Sequence, residues 1–351
     1  MTNKRQTAIS RSIHRALLRE HDQTGTRRYN VLALIFAFLS IWQIRLVRIS
    51  AQLFKSLRNE VWDIDEVDYI DSFVYDKKKA DGAGILPMGD LGYSGSTFFK
   101  TANSKFLIKS LPRRSEHSFF REDFLRPYYD YSKSNPDSLL VRITDFLGTA
   151  YPAIGTLCQC TPSHHVIMEN VLCDKDDDAR GPDKWETYDL KPVDYFYPER
   201  DLLPEPLTSE ETMSRLFDEF NDKIRITKQQ YSEFRKTIEE DTKFLRSVNT
   251  VDYSLFLIRY PAHLRPRTPT DRKSEWREGA LSTDGNWKYR AVLLDFFWAK
   301  HKLQAQAMTG IIQTFNVIGR KGPMSITTTA EEYREKFLEM VDGLVELPDE
   351  R

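Results

Sequence analysis

Residues 96–110, STFFKTANSKFLIKS, restrict the fold more than any other stretch. Ser96–Thr101 and Lys105–Ser110 alternate with period two around Ala102-Asn103-Ser104. Strand side chains point to opposite faces in turn, so two such runs joined by a short polar turn predict an antiparallel hairpin. On the second run Phe106 and Ile108 share one face, and Leu107 and Lys109 share the other. Just upstream stands Gly92-Tyr-Ser94-Gly95-Ser96. Glycine tolerates backbone conformations that bring N–H groups close to a phosphate, so these residues are candidates for holding one.

The rest of the chain alternates between strand-like and helix-like patterns. SAQLFKSLRNEVW (50–62) places Leu53, Phe54, Leu57 and Val61 at helical spacing. A second helix is predicted after Arg114, with Ser115 as its cap, Glu116 in its first turn and Asn135-Pro136 closing it. LLVRITDFL, GTLCQC and HHVIMENVL then read as short strands, and DKDDDARGPDKWE as a solvated connector before TYDLKPVDYFY. SEETMSRLFDEFNDKI and TKQQYSEFRKTIEEDTKFLRS read as helices capped by Ser209 and Thr227. TVDYSLFLIRY is strand-like, 261–288 a Pro/Arg-rich loop, YRAVLLDFFWA a buried strand ending in an acid, and the tail an amphipathic helix. A β-rich half with one long helix followed by a mixed half predicts an α+β protein of two lobes with a cleft.

A chain of 351 residues, 40% of them hydrophobic, is long enough for one large domain or two lobes. With 51 basic against 52 acidic residues, net charge selects no polyanionic partner, but clustering does. Residues 1–30 carry seven Lys and Arg against Glu20 and Asp22, which reads as a solvated basic arm suited to anionic lipid or nucleic acid. VLALIFAFLSIWQI (31–44) is the most apolar stretch, yet it falls short of the roughly 18–20 residues a membrane span needs. It predicts a short apolar helix, buried or docked on a surface. Three cysteines (Cys158, Cys160, Cys173) make no disulfide framework and, without a recognisable signal peptide, point to a reducing compartment. Neither the CxC pair nor His164 and His165 has zinc spacing.

Phosphoryl transfer asks a protein for amides or a cation on phosphate, carboxylates on magnesium, and an acid that orients the acceptor hydroxyl. The chain supplies candidates in that order: the 92–96 loop, Lys109 on a strand, Glu116 placed to hold Lys109, then Asp252 in VDYSL and Asp295 in VLLDF. An acid at the end of an apolar strand is costly to bury unless a cation or hydrogen bonds compensate. Each feature singly also fits a plain role, as a β-turn, a snorkelling lysine or a first-turn glutamate favoured by the helix dipole.

In their order along the chain, GYSGSTFFKTANSKFLIKSL, SEHSFFREDFLRPYYDYSKSNPDSLLVR, VIMENVL, TYDLK, DTKFLRSVNTVDYSLFLI, LLDFF and SITTTAEEYREKFLEMV resemble the catalytic core of the phosphatidylinositol phosphate kinases. The resemblance covers about residues 50–343 and implies the family's two-lobed, SAICAR synthase-like fold. The implied divisions are an arm with a short apolar helix (1–49), an N-terminal lobe (50–172) and a C-terminal lobe (173–351). It implies ATP and Mg2+ as cofactors. Gly92, Ser94, Gly95, Ser96, Lys109 and Glu116 would serve the nucleotide phosphates, and Met168, Asn170 and Leu172 the interlobe hinge beside adenine. Asp252 would be the catalytic acid, Lys191 would face the transferred phosphate or the substrate, and Asp295 would hold magnesium. The implied partner is a phosphoinositide in an anionic membrane surface, met by a basic face and the loop AKHKLQAQAM, at the cytoplasmic side of a membrane. No nucleic acid is expected, and a homodimer is left open.

The sequence departs from the family pattern at three points. DLKGS reads DLKPV, so Pro192 removes an amide donor and fixes φ beside Lys191. GIID reads AVLLD, and Gln304 stands where subfamilies differ, leaving 4-phosphate against 5-phosphate preference open. The alternatives are a kinase-shaped module that binds phosphoinositide or a protein without turnover, and a small-molecule ligase of the same fold, against which VDYSL counts. A protein kinase is the least favoured reading, because no HRD-type loop is present.

Overall fold

A computed structural model describes residues 2–18, 38–39, 41–74, 84–90, 96–151, 153–158, 160–173, 175, 185–192, 218–264, 274–299 and 329–348. Gly92, Ser94, Gly95, Ser209, Gln304, most of the acidic connector, most of the 31–44 stretch and nearly all of the AKHKLQAQAM loop lie outside them. The chain divides into two compact units, one of residues 1–117 and 142–173, the other of 118–141 and 174–351.

The first unit contains α1 (Thr2–Leu18), β1 (Leu46–Arg48), α2 (Ala51–Ser56), α3 (Glu66–Asp71), β2 (Ile85–Asp90), β3 (Thr97–Thr101) and β4 (Phe106–Leu111). The chain leaves it within α4 (Arg114–Phe119) and returns for β5 (Ile143–Thr149) and β6 (His164–Glu169). Its six strands form one sheet in the order β1-β5-β6-β4-β3-β2, with every neighbour antiparallel. The expected hairpin is β3–β4: Phe98 pairs with Lys109, and Ser104 turns the chain at φ 57°. The predicted 50–62 helix is α2 followed by a wider π turn over Leu57–Val61, burying Phe54, Leu57 and Val61.

Residues 2–18 are not a solvated arm. Ile9, Ile13, Ala16 and Leu17 recur at helical spacing and join a core with Tyr69, Phe73, Phe99, Phe106, Ile108 and Ile167. GTLCQC is not a strand either. Ile154–Leu157 is a single helical turn in which the Thr156 hydroxyl donates to the Ala153 carbonyl. Gly155 there lies so close to the Ile41 carbonyl that a Cβ would stand 1.8 Å from its oxygen. The Ser115 cap is also corrected, because the helix begins at Arg114 and the Arg113 amide donates instead to the Glu116 carboxylate (3.4 Å).

A buried ionic network fastens this unit. Arg48 meets Asp145 at 2.7 Å, Arg58 meets Glu66 at 2.8 Å, and the Tyr69 hydroxyl donates to Asp145 at 3.2 Å. Arg58 and Asp145 are fully buried, which is tolerable only because each charge has a partner. Burial pushes the Asp145 carboxyl up, and the two guanidinium groups partly offset this.

The second unit holds α5 (Leu125–Ser134), β7 (Glu186–Leu190), β8 (Ile224–Arg225), α6 (Lys228–Ser247), β9 (Thr250–Val251), β10 (Ser254–Pro261), β11 (Ala280–Leu281), β12 (Trp287–Leu294), β13 (Trp298–Ala299), α7 (Ala330–Leu344) and β14 (Val345–Glu346). Its main sheet runs β11-β12-β10-β7, all antiparallel. Thr227 caps α6 and Thr329 caps α7, each with its side chain accepting from the third helical amide. The described end of the predicted 209–224 helix carries no helix and finishes in β8. Within the predicted 261–288 loop, Glu275–Glu278 form a helical turn that buries Trp276 and Arg277. There Trp276 stacks on Phe234 at 3.9 Å, and Arg277 donates to the Ser138 and Leu140 carbonyls. Mixed helices and antiparallel sheets make this the α+β architecture expected from the sequence.

Candidate functional site

The register of the second unit's sheet decides which acids meet. Leu190 at the end of β7 pairs with Leu255, and Leu294 at the end of β12 pairs with Ser254 at the start of β10. Lys191 and Asp295 directly follow the ends of β7 and β12, and Asp252 lies two residues before the start of β10, so the antiparallel order gathers them at one edge. The Lys191 ammonium donates to Asp252 Oδ1 at 2.8 Å and to the Asp252 carbonyl at 2.9 Å.

Both acids have left-handed backbone, Asp252 at φ 65° and Asp295 at φ 61°. Such a conformation persists only where the surroundings impose it. Each acid is followed by an anchored aromatic. Tyr253 is fully buried, its carbonyl accepts from the Tyr333 hydroxyl, and its ring meets Phe337 edge-on. Phe296 is likewise buried, stacked on Phe124 at 5.2 Å, and the Phe297 amide donates back to the Asp295 carbonyl at 2.8 Å.

Asp189 on β7 belongs to the same cluster and was missed by the sequence reading, although it stands two residues before Lys191 in TYDLK. Burial pushes its carboxyl up, and the nearby Asp295 charge pushes it further. Its backbone amide donates to Asp218 at 2.8 Å, a second residue the sequence did not single out. Burial by itself would lower the Lys191 ammonium, but Asp252, Asp189 and Asp295 outweigh it and hold the pKa above the usual lysine range. One cation thus stands among three carboxylates. That leaves a deficit of positive charge and an all-oxygen donor set, the chemistry a magnesium ion takes. Among the described residues no three His, Cys, Asp or Glu side chains converge as a complete protein cage. Magnesium suits that arrangement, since it is commonly held by one or two carboxylates together with nucleotide phosphates.

The first unit positions the other candidates. Lys109 is buried on β4, its ammonium 5.7 Å from the Phe98 ring centre. Glu116 bonds Arg113 at 2.9 Å and feels Lys109 electrostatically. Burial raises its carboxyl, with Arg113 and then Lys109 opposing. Ser96 is buried just before β3. Met168 is buried on β6 opposite Leu107. The Asn170 amide donates to the Ser104 carbonyl at 2.7 Å and accepts from the Leu172 amide at 3.1 Å, tying the hairpin turn to the end of β6.

Residues 83–275 match the family model of phosphatidylinositol-4-phosphate 5-kinase, a span that includes Lys109, Lys191 and Asp252 and ends before Asp295. The chain is 30% identical over 204 residues to a probable phosphatidylinositol phosphate kinase of Dictyostelium discoideum, covering 57% of this chain and 26% of that protein. It is 27% identical over 178 residues to human phosphatidylinositol 4-phosphate 5-kinase type-1 beta, 49% of this chain and 29% of the relative. To Arabidopsis thaliana phosphatidylinositol 4-phosphate 5-kinase 6 it is 24% identical over 242 residues, 68% of this chain and 30% of the relative. The matched region therefore spans less than a third of these relatives. A family match over more than half of the chain, joined to this fold, leads to one conclusion: the chain belongs to the phosphatidylinositol-4-phosphate 5-kinase family.

Proposed function

We propose that the chain transfers the γ-phosphate of ATP to a ring hydroxyl of a membrane phosphoinositide. The observation that carries the reading is the gathering of Lys191, Asp252 and Asp295 at one edge of the second unit's sheet, with both acids held in left-handed backbone. In this reading Lys191 engages Asp252 Oδ1, and Asp252 Oδ2 accepts the proton of the acceptor hydroxyl. The ring oxygen forms a bond to the γ-phosphorus, the bond from that phosphorus to the β,γ-bridging oxygen breaks, and ADP leaves. Lys191 turns toward the transferring phosphoryl group as negative charge accumulates. Asp295, with Asp189 beside it, would hold magnesium, which would supply neutralisation of phosphate charge. Lys109 binds the nucleotide phosphates, kept in place by the Glu116 carboxylate, and Met168 to Leu172 line the adenine.

The test is magnesium-dependent transfer of label from γ-labelled ATP to vesicles presenting each phosphatidylinositol monophosphate in turn. Labelled lipid that disappears with Asp295→Asn supports the reading and names the isomer. Labelling that Lys109→Met and Asp295→Asn leave unchanged contradicts the roles given to those residues.

A further inference from the structure

Three segments of the first unit meet on its surface, and none contains an acid. They are α1, residues 38–50 and residues 149–168, in a chain where 52 of 351 residues are Asp or Glu. Their contacts are direct. The Ile41 carbonyl accepts from the Thr161 hydroxyl at 2.7 Å and presses on Gly155. The Ala150 amide donates to the Arg45 carbonyl at 2.9 Å, the Arg45 guanidinium stands 5.8 Å from the Tyr151 ring centre, and the Arg15 guanidinium abuts the Gln43 side-chain amide.

What this surface offers to water is unusual. Phe38, Leu39, Ile41, Trp42, Tyr151 and Leu157 are all exposed, from 39% at Trp42 to 64% at Leu157. Beside them α1 turns Ile9, Ile13 and Leu17 inward and leaves Lys4, Arg11 and Arg15 outward. An apolar patch built from acid-free segments and rimmed by cations matches the bilayer interface, where aromatic and aliphatic side chains enter the headgroup boundary and Lys and Arg meet anionic lipid.

We propose that this face docks on an anionic bilayer, with Ile41, Trp42 and Leu157 inserted into the interface and Lys4, Arg11 and Arg15 set against lipid phosphates. Charge complementarity selects the occupant, since acid-free segments rimmed by cations suit an anionic lipid surface better than a second copy of the same cationic face. No helix among the described residues is long and apolar enough to cross a bilayer. The inference does not rest on the kinase reading, since it requires neither ATP nor a phosphoinositide.

The test is flotation of the full chain with phosphatidylcholine–phosphatidylserine vesicles free of phosphoinositide and without nucleotide. The wild type floats, and pure phosphatidylcholine weakens its binding. Ile41→Asp and Leu157→Asp each weaken binding about tenfold with an unchanged melting temperature. Lys4→Gln and Arg11→Gln each weaken it about fivefold. Cys158 and Cys160 are exposed and Cys173 is buried, so a polarity-sensitive label on Cys158 in a Cys160→Ser chain reports insertion by a blue shift on vesicles. Failure to float, flotation untouched by Ile41→Asp and Leu157→Asp, or a dimer in sedimentation that Leu157→Asp dissociates would each overturn the proposal. Binding confined to phosphoinositide vesicles and undiminished in these variants would also overturn it, while leaving the kinase reading standing.

Discussion

Asp252 and Asp295 combine an uncommon backbone with a costly charge, and both features follow from their neighbours. At φ 65° and 61° a Cβ crowds the next carbonyl, a strain that Asp and Asn bear better than β-branched residues do. We therefore expect Asp295→Asn to change stability by less than about 0.5 kcal/mol, while Asp295→Val costs about 1–3 kcal/mol in denaturant unfolding. Equal losses in the two variants would show that the backbone there carries no strain. His165 offers a second check at this scale. Its ring is fully buried with no hydrogen-bond partner, and burial pushes its pKa down to about 3. The unfolded histidine gains a proton near pH 6.5 and the folded one does not, so its contribution to stability is complete above that pH and is lost as the pH falls. Relative to wild type, His165→Leu should gain about 2 kcal/mol on going from pH 7.5 to pH 5. A difference that does not vary with pH would show that the ring takes up its proton in the native state.

Among the elements, helices are fastened by single buried acids whose partners lie far away in sequence. Asp145 in the apolar strand β5 anchors Arg48 of β1 and Arg58 of the π turn after α2. Asp145→Asn leaves those guanidinium groups short of a counter-charge and should cost about 3–5 kcal/mol. A loss below about 1 kcal/mol would mean that Glu66 alone suffices. In the second unit Asp241 of α6 accepts from the Tyr131 hydroxyl, the Ser138 hydroxyl and the Leu139 amide, each at 2.7 Å. Burial still raises its pKa to about 6, although those donors oppose the shift. The folded carboxyl keeps its proton to a higher pH than the unfolded one, so its contribution to stability falls as pH rises from about 4 to about 6, by about 3 kcal/mol at most. Asp241→Asn should flatten that slope, and unfolding curves across this range will show it. An undiminished slope would place the titrating group elsewhere.

Across the whole molecule, what was legible in the sequence was what local chemistry settles. The β3–β4 hairpin, the Thr227 and Thr329 ends of α6 and α7, and the acids closing β9 and β12 follow from alternation, capping and strand length within a few residues. The misreadings were decided at a distance. The α1 helix is ordered because a sheet formed by residues 46–169 receives its apolar face, and Gly155-Thr156-Leu157 coil against a carbonyl from residue 41. Asp145 looked like one polar position in an apolar run, since both of its arginines arrive from nearly 90 or more residues earlier in the chain. One of the three clustered carboxylates was equally hidden. Asp189 becomes part of it only when β10 brings the ends of β7 and β12 together.

The most direct test of this account is the rate of phosphate transfer from ATP to phosphatidylinositol monophosphate vesicles by Asp252→Asn, measured beside its affinity for ATP. The account predicts a kcat lowered by about 10²- to 10⁴-fold, with ATP binding within about twofold of wild type. A wild-type chain that transfers phosphate to lipid and an Asp252→Asn variant that does so equally fast would contradict it. A wild type with no transfer to any of the monophosphates would contradict it more broadly, and would turn attention to Pro192 beside Lys191.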